Sequence, residues 1–96
     1  MNEAHWPAER REIFFSGRVQ GVGFRYTTRE IAARFPVSGF VKNLPDGRVW
    51  LVLEGARADL DSLVAAIEEE MDRYITHQET KVPPPTGEFD RFEVRH

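Results

Sequence analysis

The chain has 96 residues, 13 Lys and Arg against 16 Asp and Glu, and no cysteine. A net charge of −3 argues against a protein built to coat nucleic acid, and the missing cysteines exclude disulfides, thiol catalysis and cysteine-held zinc. No run approaches the roughly 18 apolar residues of a membrane span, and the first residues lack the basic start and apolar core of a signal peptide. The expectation is one small domain in the cytoplasm, binding neither nucleic acid nor membrane, and monomeric. So short a chain leaves room for few catalytic side chains, so its chemistry should lean on the backbone.

Residues 1–11, with Pro7 and mixed charges, read as a polar lead-in, and residues 12–96 as the folded domain. From Glu12 to Gln20 the residues alternate, with Ile13, Phe15, Gly17 and Val19 on one face and Phe14, Ser16 and Arg18 on the other, which predicts a strand. Gly21-Val22-Gly23 interrupts it, and Phe24, Thr28, Ile31, Ala32 and Phe35 then follow helical spacing up to Pro36. Ser38–Leu44 and Arg48–Glu54 predict two strands of a hairpin, with Pro45-Asp46-Gly47 as turn. Trp50 is out of phase with Val49 and Leu51 and belongs to the opposite sheet face.

After Gly55, Leu60, Leu63, Val64, Ile67 and Met71 make the cleanest helical stripe in the chain, with Glu68, Glu69 and Glu70 mostly off it as a solvated face. Tyr74–Val82 reads as a polar edge strand, Pro83-Pro84-Pro85 as a linker, and Phe89–Arg95 as a last short strand around Phe92 and Val94. The order β-α-β-β-α-β with an additional C-terminal strand is that of an α+β, ferredoxin-like sandwich. In it, an antiparallel sheet carries two helices on one face.

Chemistry points to Gly17-Arg18-Val19-Gln20-Gly21-Val22-Gly23-Phe24-Arg25, a glycine-bearing loop between strand and helix that ends in arginine. Successive N–H groups in such a turn converge on anions, and the unsatisfied donors of a helix N-terminus add to their field. Arg25 supplies a planar, permanently charged fork for two phosphoryl oxygens. Neither a Walker A loop nor GxGxxG is present, so nucleotide binding has no direct support. A plain tight turn with a surface arginine fits the same residues.

This segment resembles the signature of the acylphosphatase family, and Gly39-Phe40-Val41-Lys42-Asn43-Leu44-Pro45-Asp46-Gly47 resembles that family's Gly-aromatic-Val-x-Asn-x-x-x-Gly hairpin. Thr28 and Ala32 also fall where the family pattern often has them, and the likeness runs best over residues 12–71. The resemblance implies an enzyme that cleaves small carboxyl-phosphate anhydrides to carboxylate and phosphate without metal or cofactor. Arg25 and the amides of Gln20, Gly21, Val22, Gly23 and Phe24 would hold the phosphoryl group, and Asn43 would position the attacking water. It implies the same sandwich that periodicity gives. In a split βαβ unit the ends of the first and second strands lie on one side, two strand spacings or roughly 10 Å apart, within reach of a bound phosphoryl group and a water.

The chain departs from the family pattern at Pro36-Val37 in place of Gly-Leu, at Met71-Asp72-Arg73-Tyr74 in place of a Gly-Pro exit, and in the triple-proline tail. These put the exit of the second helix and the packing of the fourth strand in question. Gly23 stands where many relatives carry a larger residue. His5, His77 and His96 show no metal-ligand spacing and read as solvated, as does the Arg10-Arg11 pair; Ser16 and Ser62 have no triad partners. The alternative from another class is a catalytically weak phosphate- or carbamoyl-phosphate-binding module on the same fold. Such a module needs Arg25 but not Asn43.

Overall fold

The computed structural model describes residues 9–96. Alternation and helical spacing produce, in chain order, β1 (Glu9–Gly17), α1 (Phe24–Ala32), β2 (Ser38–Asn43), β3 (Val49–Gly55), α2 (Arg57–Glu70), β4 (Ile75–Lys81) and β5 (Phe92–Arg95). The strands form one sheet in the order β4-β1-β3-β2-β5. β3 lies between β1 and β2, antiparallel to both, with Phe15 opposite Val49 and Val41 opposite Leu51. β1 and β2 therefore run parallel and end on the same side, as the split βαβ arrangement requires. β4 joins the far side of β1 antiparallel, whereas β5 pairs parallel with β2, so the fifth strand makes the sheet mixed where an antiparallel sheet was expected. A parallel partner follows from the route of the chain, which crosses the sheet between β4 and β5 instead of turning back in a hairpin.

One sheet face and both helices enclose the core. Ile13, Phe15, Val41, Val49, Leu51 and Leu53 from the sheet meet Phe24, Ile31, Leu60, Leu63, Ile67 and Met71. Each such side chain contributes about 1.5–3 kcal/mol by leaving water. Helix α1 ends through tightened bonds, Arg34 N–H to the Ile31 carbonyl and Phe35 N–H to that of Ala32. Pro36 then forces the chain out of helical geometry, so the α-helix stops at Ala32 although Phe35 still packs on the core. A short 3-10 turn, Asp72–Tyr74, does the work of the missing Gly-Pro after α2. It returns the chain to β1 through a 3.0 Å bond from Arg18 N–H to the Tyr74 carbonyl.

The other sheet face carries what alternation leaves over. Phe14 stacks on Trp50 at 5.9 Å, and Phe40 meets Trp50 edge-on at 5.0 Å. Residues 82–91 cross this face from β4 at one edge to β5 at the other, so the triple proline belongs to a covering segment and not to a linker. β1 begins at Glu9, inside the segment that the sequence reads as lead-in, and the earlier residues of that segment lie outside the described ones. Arg10 and Arg11 are not a solvated pair. Alternation sends them to opposite faces, where Arg10 bonds Glu12, Glu54 and Glu88, and Arg11 bonds Glu9 and Asp61.

Candidate active site

The loop between β1 and α1 has its shape from two glycines. Gly21 and Gly23 have φ of 77° and 78°, and no atom approaches within 4 Å of a Cβ built at either. The backbone conformation, not crowding, therefore selects glycine there. Gly23 is the N-cap of α1 and brings no capping side chain, and the first helical bond runs from Thr27 N–H to the Gly23 carbonyl at 2.9 Å. Ahead of it, the amides from Gln20 to Tyr26 donate to no backbone acceptor among the described residues. They are a cluster of unspent donors at the positive end of a helix.

A cavity of about 170 Å³ opens beside this loop, lined by Val19, Gly21, Gly23, Phe24, Arg25, Tyr26 and Asn43. The residues that the sequence placed in the site, Arg25 and Asn43, thus line the same cavity as Gly21, Gly23 and Phe24. Asn43 is the last residue of β2, opposite Val49, and its Oδ1 is buried without a hydrogen-bond partner in the described residues. Arg25 spends only one guanidinium nitrogen. Its Nη1 donates to the Arg95 carbonyl at 3.0 Å and lies 3.2 Å from His96 Nδ1, leaving Nε and Nη2 uncommitted among the described residues. His96, read from the sequence as solvated, is therefore a neighbour of the arginine. Strand β5 thus holds one arm of the fork through the Arg95 carbonyl.

Gln20 and Val22 do not line the cavity. Val22 packs on the core, and Gln20 sends its side-chain amide away from the loop, donating at 2.8 Å to the Leu44 carbonyl and at 2.9 Å to that of Arg48. It ties the loop to the hairpin that carries Asn43, a contact that spacing alone does not disclose. Val19 and Tyr26 line the cavity without having been singled out as site residues. Val19 continues the buried alternation of β1, and Tyr26 is half exposed, with the Arg29 guanidinium 5.2 Å from its ring centre. Among the described residues, no three His, Asp or Glu side chains form a group able to hold a metal ion. The unspent N–H groups of the loop and of Arg25 belong to residues at this cavity, and such donors suit an anion.

A family model described as Acylphosphatase matches residues 11–94. The chain belongs to the acylphosphatase family. It is 47% identical over 87 residues to an acylphosphatase of Haloarcula marismortui, covering 90% of this chain and 94% of that one. It is 46% identical over 88 residues to an acylphosphatase of Rubrobacter xylanophilus, covering 91% and 80%. The fold is similar to the crystal structure of acylphosphatase from Bacillus subtilis, with a TM-score of 0.82 at 31% identity, covering 92% of this chain and 99% of that one. The matched region takes in the crossing segment with its three prolines and β5 as far as Val94.

Proposed function

We propose that the cavity holds the phosphoryl group of a small acyl phosphate on Arg25 and the loop amides, while Asn43 orients the water that attacks phosphorus. Membership of the acylphosphatase family makes acyl phosphate hydrolysis the activity of this chain. The proposal concerns which atoms perform it. One observation carries the assignment: Arg25, Asn43, Gly21, Gly23 and Phe24 line the same cavity.

The chemistry fits so few groups. The leaving group is a carboxylate, stable without protonation, so no strong general acid is needed. The barrier is lowered by alignment of water and by neutralising charge on the phosphoryl oxygens, the terms that dominate phosphoryl transfer. Water oxygen forms the new bond to phosphorus as the bond from phosphorus to the acyl oxygen breaks and its electron pair leaves with the carboxylate. The Asn43 amide is a poor base, and the water's proton passes to a phosphoryl oxygen of the substrate.

The test is benzoyl phosphate hydrolysis by the parent, Arg25→Ala and Asn43→Ala proteins, each shown to be folded, with and without chelator. Both variants should be severely slowed and the parent indifferent to chelator. A folded Arg25→Ala protein as fast as the parent refutes the assignment. Stabilisation of the parent by phosphate without turnover would instead make it a binding module.

A further inference from the structure

Glu54 is the buried ionised group that the reaction does not use. It stands on β3, 2% exposed, on the sheet face away from the helices. Its neighbours are donors. Oε2 accepts from Arg10 Nη1 at 2.8 Å and from Thr86 N–H at 2.8 Å, with Thr86 Oγ1 at 3.0 Å, and Oε1 accepts from Gly87 N–H at 2.8 Å. Two of those donors are main-chain amides of the crossing segment, and a buried carboxylate so engaged fixes the chain that supplies them.

That segment leads directly into β5. Phe89 seats its ring against Phe40 at 5.8 Å, and the Arg91 carbonyl accepts from Gly39 N–H at 3.1 Å before β5 begins at Phe92. β5 is four residues long, lies at the edge of the sheet with β2 as its one strand partner, and packs Phe92 and Val94 on the core. So short an edge strand depends on what precedes it for its position. Its Arg95 carbonyl is in turn the acceptor that holds Arg25 Nη1. A continuous series of contacts therefore joins the carboxylate on one sheet face to the guanidinium at the cavity.

We propose that Glu54 is a positioning residue for Arg25, acting through the crossing segment and β5. This rests on the reading of Arg25 as the phosphoryl ligand. With the carboxylate intact, the fork meets the anion already aimed. Without it, β5 and the Arg95 carbonyl shift and phosphate binding weakens, although no atom of the cavity has changed. A 1 Å misplacement of a catalytic group can cost about a hundredfold, and a loosened, not lost, anchor should cost about tenfold or less on that scale.

The experiment measures inhibition by inorganic phosphate, steady-state constants for benzoyl phosphate, and hydrogen exchange of the β5 amides. The proteins are the parent, Glu54→Gln, Thr86→Val, Phe14→Leu and Arg25→Ala. Glu54→Gln should raise the phosphate inhibition constant and KM about tenfold and speed exchange in β5. Thr86→Val removes only the hydroxyl, keeps both backbone donors, and should do the same more weakly, which keeps the test open should the glutamine variant not fold. Phe14→Leu loosens the same sheet face at the Trp50 stack, away from the crossing segment, and should lower thermal stability with phosphate affinity unchanged. Glu54→Gln or Thr86→Val proteins that lose stability yet bind phosphate as the parent does would overturn the proposal, as would equal weakening by Phe14→Leu. Unchanged phosphate affinity in Arg25→Ala would instead overturn the reading of the site itself.

Discussion

At the residue scale, the roles proposed for Arg25 and Asn43 divide the work between charge and direction. In the proposed site Arg25 faces charge that is present on the substrate and redistributes in the transition state, so Arg25→Ala should both raise KM and lower kcat. The loss of a preorganised donor of this kind costs about 10²–10³ in kcat. Arg25→Lys keeps the charge but loses the planar fork and the bond to the Arg95 carbonyl in its present geometry, and should recover binding better than turnover. Asn43→Ala removes the amide proposed to aim water, so steady-state kinetics on benzoyl phosphate should show a fall in kcat with KM near the parent value. Local pattern alone left both residues open to a plain-turn reading, the family resemblance singled them out, and both line the cavity. Gln20 was only half legible. Its place in the loop was plain, but its side-chain bonds to the Leu44 and Arg48 carbonyls depend on how two distant segments meet.

At the element scale, the loop and the hairpin act as one unit because Gln20 ties them. Gln20→Ala leaves two carbonyls without their side-chain donor, and each such bond is worth about 1 kcal/mol net. The expected result is a melting temperature lower by several degrees, since 1 kcal/mol shifts a domain of this size by about 4–8 °C. A fall in kcat should accompany it, because Asn43 sits on the hairpin that is released. Helix α2 makes the contrasting case. Leu63→Ala should cost about 2–5 kcal/mol in chemical denaturation, from lost transfer energy and the cavity left behind, with little change in the kinetic constants of the protein that remains folded. The elements themselves were readable because the sheet is buried on its helical face, which enforces alternation, and because Leu60, Leu63 and Ile67 keep one face of α2 turned inward. The stretch after β4 was not readable. Its three prolines signal only that no strand forms there, while what holds the segment is the side chain of Glu54, more than thirty residues away.

At the scale of the whole molecule, the acidic balance is compatible with the proposed anion site because carboxylates are spent on arginines elsewhere. Glu54 shows how. Burial is the largest influence and pushes its carboxyl up, but the Thr86 amide, Arg10, the Gly87 amide and the Thr86 hydroxyl together hold it below the usual range. Glu9 is lowered likewise, by its bond to Arg11 against the opposing effect of burial, and then by Arg57. In the unfolded chain such glutamates titrate near 4.3, so around that pH the unfolded state binds more protons than the folded one and stability rises with pH. The contribution is fully present above about pH 5 and is lost as pH falls through the lower folded values. Thermal melting followed from pH 7 to pH 3 should therefore be nearly level at first and then fall steeply below about pH 5. Glu54→Gln should begin from a lower melting temperature and fall less steeply, because one proton-linked carboxylate is gone. Equal slopes in the two proteins would mean that Glu54 does not carry the acid sensitivity, leaving Glu9 and Asp46, both held below the usual range, to account for it.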